Sequence, residues 1–569
     1  MKILNELPPE VKKGQMVSFD FETFGQKEGK LHRPGGTFAC ISVCLEGDLN
    51  TVYQLYDACD LRKLAQVIGK GYWTCHNALY DLRQFRRHAT IRPRPMWDTM
   101  LVDQGMLGGY YQTFGLGDLS RRWLGKGMEK ETREDFATAT EMTSQMKKYA
   151  ALDAVRTLEI ALLQREKYEG DPSFKAYTVA DEPMIFPVLD MPGMRVDAGN
   201  WQAMVDEFTM SARILEDELG VNVMSPAQVK EAARKMGIHL IDTSASTLME
   251  FADREFIAKV IEARMYRKAV STYGTKWLED NVESDGKVYA DYHITGASTT
   301  GRMSCSNPNM QNIPQRRLPK YRSMFLASDG NVIRVSDIHQ QEPCILAYHT
   351  QDARLLAAIR NHEDLHLAVA REIFENPKLT KEDKDERAVG KMINLGTSYG
   401  LTEFGLATKL GISEEKAQAF LHSYFRKFSG VFGWISQQRQ MAFRQGYVKT
   451  ALGRKSYINP YDSSWQNNAI NSPIQGGAAD FTKIWARKVW EKCNREGVPY
   501  TIVAFVHDED VDDIPRDCLK ASNRIQKEAF DETAALLYKN VPFEFESEYG
   551  KSWGAKSIAA EMIDLNETE

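Results

Sequence analysis

Residues 387–400 read RAVGKMINLGTSYG, and every fourth position carries a distinct chemistry: Arg387, Lys391, Leu395 and Tyr399. At 3.6 residues per turn, this spacing predicts a helix that stacks the four side chains along one face. Arg offers a planar fork for phosphate oxygens and Lys a compact point charge. The stripe therefore suits a triphosphate at one end and a sugar and base at the other. Read alone, it is more simply a solvated charged helix, because such faces are common. The rest of the chain decides between the two.

Outward from that helix, 569 residues exceed what one core supports, and roughly three or four domains are expected. With 43% hydrophobic and 26% charged residues, the composition is that of a globular protein. A net charge of −6 argues against a uniformly basic nucleic-acid binder. DNA contacts, however, need only a local basic groove, and RQFRRH (83–88) and QRRLPKYR (315–322) are local basic runs. The eight cysteines are scattered without a CxxC pair, a pattern of reduced intracellular thiols. MKILNELPPEVKKG lacks the apolar region of a secretory leader, and no apolar run approaches the ~20 residues of a membrane span. A cytoplasmic protein without a membrane partner is expected.

Residues 1 to about 165 alternate short apolar strands, such as MVSFDFETF, with helical stretches, which is an α/β pattern. EGDPSF near Asp171 reads as a linker. Trp201, Met204, Val205, Phe208, Ala212, Leu215 and Leu219 form the apolar stripe of a helix that stops at Gly220. Ser225-Pro226 starts another helix, which ends at Gly237. Beyond an Asp-Gly turn at 285–286 come the strand NVIRVSDI, a long helical stretch, and TIVAFVHDEDVDDI, a hairpin with its tip at His507 and Asp508.

Asp20 and Glu22 stand two apart on one strand, so both carboxylates face the same side. HNALYD ends in Asp81, and YAALD places Tyr149 and Asp153 on one helix face. Four carboxylates and a tyrosine suit two divalent ions and a water aimed at phosphorus. The ordered set DFE, NALYD and YAALD resembles the DEDDy-type 3′–5′ exonucleases, whose domain has an RNase H-like fold. The resemblance covers about residues 14–165. It implies Asp20, Glu22, Asp81 and Asp153 as metal ligands, Tyr149 as the residue orienting the water, and Asn77 as an amide that contacts the substrate strand.

Asp337 closes an apolar strand and Asp508 sits at a hairpin tip, so two carboxylates can meet, as in many Mg2+ sites. A pair of acidic surface turns is the plainer alternative. SDIHQQEPCILAY, RAVGKMINLGTSYG and VAFVHDE resemble, in order, the three polymerase motifs of family A DNA polymerases. TTGRMSCSNPNMQNIP (299–314), GYVKTALGRK (446–455) and NSPIQGGAAD (471–480) resemble three further blocks of that family. This second resemblance covers about residues 175–555.

Together the two resemblances imply a multidomain α/β and α+β protein of the DNA polymerase I type. An RNase H-like exonuclease (1–170) precedes a right-hand polymerase domain (171–569). Within the latter, the thumb is expected at about 198–282, the palm at about 171–197, 283–348 and 485–569, and the fingers at about 349–484. An exonuclease beginning almost at Met1 leaves no room for an upstream 5′ nuclease, a layout similar to bacteriophage-encoded members. Template-directed synthesis with proofreading is implied, with primer–template DNA and dNTPs as partners and two Mg2+ ions per active site, for which Mn2+ can substitute. A monomer is expected, in the host bacterial cytoplasm if phage-encoded, with helicase, primase and single-strand binding protein as companions.

By the same resemblance Asp337 and Asp508 hold metal, with Glu509 beside them, and Arg387 and Lys391 grip the triphosphate. Tyr399 packs by the nascent pair, and Glu342 is a steric gate against a 2′-hydroxyl, with Gln340 beside the nucleotide. DNA contacts are implied for Arg302, Gln311, Asn312, Arg454, Asn471, Gln475 and His507. Thr380 and Asp383 are expected to cap the motif helix, and Gly390 inside it to cost about 1 kcal/mol relative to Ala. The chain departs from the family at Pro343-Cys344, usually Leu-Arg, at Asn467, often Arg, and at Leu395, usually Phe or Tyr.

His362-Glu363-Asp364-Leu365-His366 matches the HExxH zinc-hydrolase pattern, but the family's Asp-x-His in the fingers explains it better. Three rival readings remain: a single-subunit RNA polymerase, a repair-type DNA polymerase, and a nuclease whose polymerase half only binds DNA.

Overall fold

The structure is a computed structural model that describes residues 1–25, 36–128, 134–315, 320–398, 400–506 and 508–556. Its contacts divide the chain into two units. One comprises Met1–Pro192, Ala290–Gln311 and Arg334–Glu548, and the other Gly193–Tyr289, Asn312–Ile333 and Tyr549–Glu569.

In the first unit, Val17, Phe19 and Phe21 turn one side of the strand Met16–Phe24 into the core, while Asp20 and Glu22 alternate to the other. Phe19 packs edge-on against Trp73 and Phe85 at 5.2 and 5.7 Å between ring centres. That strand lies inside a six-stranded mixed sheet ordered Lys2–Leu4, Asp48–Leu55, Thr37–Leu45, Met16–Phe24, Tyr72–Cys75, Met96–Asp98. The helix Ser144–Tyr168 packs on the sheet and brings Asp153 to the Asp20 strand.

A four-stranded sheet runs in the order Thr501–Val506, Glu509–Pro515, Asn331–His339, Glu544–Gly550. Phe481, Trp485, Phe530 and Phe543 belong to the large apolar core beside it. The 32-residue helix Trp465–Glu496 runs through that core despite Pro473.

The motif helix spans Lys384–Ser398 and packs on the helix Leu365–Ile373. Gly390 has a packing reason there, because a Cβ would stand 2.2 Å from the His366 carbonyl oxygen. Thr380 N donates to Asp383 Oδ2 at 2.7 Å and Glu382 N to Thr380 Oγ1 at 3.2 Å, but these close a turn ahead of the helix, which begins only at Lys384, so Thr380 does not cap it as expected.

The second unit pairs the helices Ala198–Leu219 and Glu255–Tyr273. Asp197 caps the first through Asn200 N, and Gly220 ends it at φ 63°. Trp201 stacks on Trp277 at 4.4 Å and donates to the Tyr273 carbonyl. Among the described residues no helix is long and apolar enough to cross a membrane.

Candidate active sites

Asp20, Glu22 and Asp153 bring one ligand atom each to within 4.8 Å of one another. Carboxylates so close repel unless a cation lies among them, so the donor set fits a divalent ion. Among the described residues this is the only such group of His, Cys, Asp and Glu. Asp81, on the helix Ala78–Arg86, is fully buried and accepts from Phe21 N at 2.9 Å. Burial pushes its carboxyl well up, and the Asp20 charge pushes it further.

The start of that helix depends on Asp98, which no sequence motif had singled out. Its carboxylate accepts from Asn77 N at 3.1 Å and Ala78 N at 2.8 Å, and it caps the helix Thr99–Met106 as well. Asn77 sits at φ 63°, ψ 60° and borders a cavity of about 220 Å³ shared with Arg83, Gln104 and His293. Tyr149 shares the Asp153 helix and sets its ring 6.2 Å from Phe136.

A second carboxylate set lies in the four-stranded sheet. Asp337 falls within the strand Asn331–His339, two residues before its end, and the neighbouring strand Glu509–Pro515 begins just after Asp508. Val506 pairs with Glu509, so Asp508 occupies the tight turn. Burial pushes the Asp508 carboxyl up to about 6, and the charges of Asp337, then Glu509 and Glu342, push the same way. Asp508 thus titrates in the field of three further acidic groups, Asp337 on the adjacent strand foremost. Glu342 is steadied by Arg302, whose Nη2 lies 2.8 Å from its Oε1. His507 lies outside the described residues.

Arg387, Lys391 and Leu395 line up on the motif helix; Tyr399 lies outside the described residues. Arg387 is anchored to Asp364 through Nη2 at 2.6 Å and Nε at 2.8 Å. His366 is pushed down to about 4, chiefly by burial; Asp364 opposes the shift, and Lys391 and Arg387 add to it. A neutral imidazole therefore sits with the two cations. The Asp-x-His pattern marked its place in the sequence without suggesting a role.

The HExxH stretch does not form a zinc helix. Asp364 caps a helix that begins only at Leu365, while His362, at φ 53°, lies before the cap and pairs with Glu544 at 2.8 Å.

Asn471 and Gln475 are one helical turn apart on Trp465–Glu496, and Asn471 Oδ1 is buried without a hydrogen-bond partner. Gln311 donates to the Phe505 carbonyl at 3.3 Å, beside the Asp508 hairpin. Asn312 belongs to the second unit, where its carbonyl accepts from Tyr273 at 2.6 Å. Gln340 stands at φ 49°, with its Oε1 buried and unpartnered.

Arg454 corrects the expectation of a DNA contact. It is 1% exposed, spans Asp181 with both terminal nitrogens at 2.8 Å, and meets Asp480 at 2.7 Å. Lys483 joins Asp181 at 2.6 Å, so the guanidinium is consumed by a buried ion network. Asn467, at a position that is often Arg in the family, lies against Gly400, where an added Cβ would fall 1.9 Å from the Asn467 Oδ1.

Comparison with known proteins gives two family matches: DNA polymerase family A over residues 200–555 and 3′–5′ exonuclease over residues 2–165. DNA polymerase I of Pseudomonas aeruginosa is 30% identical over 467 residues, covering 75% of this chain and 49% of the relative. DNA polymerase I of Aquifex aeolicus is 28% identical over 548 residues, covering 89% of this chain and 92% of the relative. The chain thus spans about half of the first relative and most of the second. The POL domain of Pol1 from M. smegmatis, solved with DNA primer-template and dNTP, shares the fold at a TM-score of 0.81 and 23% identity. That match covers 96% of this chain and 97% of the other.

Proposed function

Because this chain belongs to DNA polymerase family A and carries a 3′–5′ exonuclease domain ahead of the polymerase domain, we propose that it extends primers on a DNA template from dNTPs and trims mispaired 3′ ends. The observation that carries the proposal is the placement of Asp337 and Asp508 at neighbouring strands of one sheet, with burial and the Asp337 charge pushing the Asp508 carboxyl up to about 6. Two carboxylates presented by adjacent strands, one of them with a raised pKa, suit a site built to receive cations and a triphosphate.

In this reading, residues 1–170 edit, and 171–569 form the palm, fingers and thumb in the ranges expected above. Asp20, Glu22, Asp81 and Asp153 hold divalent ions in one site, and Asp337 and Asp508 in the other. Mg2+, two per site, fits the all-oxygen donor sets, and when bound it supplies charge for the attacking and leaving oxygens. Arg387 and Lys391 hold the triphosphate against the acidic groups, with neutral His366 as a further donor. Catalysis by this chain's own side chains is then positioning and electrostatic stabilisation. Glu342, ion-paired with Arg302, serves in this reading as the steric gate against a 2′-hydroxyl. In the editing site Tyr149 orients the attacking water, while Asn77 contacts the strand being trimmed. The finer assignment is DNA replication in a bacteriophage, which neighbouring genes for helicase, primase and single-strand binding protein would support and a repair-gene setting would oppose.

Primer extension with dNTPs against NTPs tests the reading. Asp20→Ala should lower primer degradation by about two to three orders of magnitude, the scale on which losing one preorganised charge acts, and spare extension. Asp508→Asn should do the converse. Wild-type extension with neither nucleotide set would refute polymerase activity, and extension with NTPs alone would favour the RNA polymerase rival.

A further inference from the structure

The short hairpin Tyr447–Lys449/Lys455–Tyr457 has an unusual outer face. Its register pairs Tyr447 with Tyr457 and Lys449 with Lys455, while Val448 and Ser456 turn inward and are buried. Both lysines lie over the Tyr447 ring, at 5.5 and 5.6 Å. Tyr110, 63% exposed, sets its ring 5.5 Å from Tyr457 and extends the aromatic row.

Just before the hairpin in the chain, Phe443 is 68% exposed and packs against Trp465 at 6.2 Å. Tyr461, in the turn before Trp465, is 95% exposed. Three of the five large aromatics that stand exposed among the described residues thus belong to this one region. Burying rings would have been the cheaper arrangement, so their exposure asks for a ligand with flat faces.

Charge narrows the ligand. Between Phe443 and Trp465 the chain has Arg444, Lys449, Arg454 and Lys455 against a single acid, Asp462. Arg454 is buried and Lys455 is held by Asp171 at 2.9 Å. Among the described residues, Lys449 and Arg444 have no carboxylate within ion-pair range. Exposed rings beside unpaired cations suit bases that stack and phosphates that need charge, the chemistry of a single strand of nucleic acid. Continuity points the same way: Trp465 begins the helix that carries Asn471 and Gln475, and ten residues separate it from Gln475, about 15 Å along the axis.

We infer that the Phe443–Trp465 region, with Tyr110, is a stacking surface for the unpaired template strand ahead of the polymerase site. This rests on the reading of the chain as a template-directed polymerase.

The experiment compares binding, by fluorescence anisotropy, to one primer–template duplex with either one or about twelve unpaired template nucleotides, a length within the reach of such surfaces. The wild type should bind the long overhang about tenfold more tightly. The double variant Phe443→Ala/Tyr461→Ala should lose that advantage and keep its affinity for the short overhang. Lys449→Gln should reduce the advantage and flatten its salt dependence. An overhang advantage absent from the wild type, retained by the double variant, or lost together with short-overhang affinity would overturn the inference. A failure of the polymerase reading shows separately, as absence of dNTP extension on either substrate.

Discussion

One carboxylate, that of Asp364, serves two masters: Oδ1 accepts from His366 N and Leu367 N at 3.0 Å each, and Oδ2 takes Arg387 at 2.6 and 2.8 Å. The helix start and the guanidinium are therefore fixed by the same group. Fixing Arg387 in advance lowers the entropy cost of gripping a triphosphate with it.

Asp364→Asn keeps a cap oxygen and removes the charge, so the fold should persist while Arg387 loosens. A charge-assisted hydrogen bond at a partly exposed site contributes about 1 kcal/mol. The expected result in steady-state kinetics is a dNTP KM raised about fivefold, with kcat within about twofold. A fall in kcat at constant KM would instead assign the pair to the transition state.

Arg454→Met leaves Asp181 and Asp480 buried with only Lys483 to offset them. Breaking a buried ion network by deleting one member costs about 3–5 kcal/mol. Denaturant unfolding should show that loss, while primer–template affinity per folded molecule stays unchanged. A variant that is stable but binds DNA weakly would restore Arg454 to the DNA surface.

The sequence revealed what is encoded locally. The two-residue period of MVSFDFETF separated Asp20 and Glu22 from Phe19 and Phe21, and the fourfold spacing of Arg387, Lys391 and Leu395 fell on the helix Lys384–Ser398. Arg454 misled because its partners Asp181 and Asp480 are remote in the chain, and a basic residue in a loop block looks the same whether it faces DNA or a buried aspartate. Asp98 escaped notice for a similar reason: capping the helix that carries Asp81 depends on sheet order, which places Met96–Asp98 beside Tyr72–Cys75. His362 and His366 show the converse, a literal motif dissolved by a helix that begins between them.

Glu182 should make stability depend on pH. Burial pushes its carboxyl up to about 7, opposed by the Met96 N–H, which donates to it at 2.9 Å. Between the ordinary 4.5 and about 7 the folded protein holds a proton that the unfolded chain has released. Stability therefore falls as pH rises through that window and levels off above it. Glu182→Gln keeps the acceptor and removes the ionisation, so it should gain on the wild type between pH values of about 4 and 8, by at most about 3 kcal/mol. Unfolding midpoints measured for both proteins across that range check the sign; a gain that grows as pH falls would contradict it.

Leu395 stands one turn beyond Lys391, on the face that the triphosphate reading assigns to the sugar. The family resemblance implies a flat aromatic ring at that position. A ring offers a rigid face with few rotamers, whereas the branched aliphatic side chain is narrower and leaves the ribose less constrained. Weaker positioning of the sugar should slow incorporation, because misplacement at the reacting centre is felt in the rate. It should also alter how strongly a missing 3′-hydroxyl is noticed. Leu395→Phe is thus expected to raise single-nucleotide incorporation severalfold and to shift the dNTP to ddNTP ratio of kcat/KM. Pre-steady-state incorporation of matched dNTP and ddNTP pairs reads both effects. If the variant left rate and ratio together unchanged, Leu395 would have no part in sugar selection.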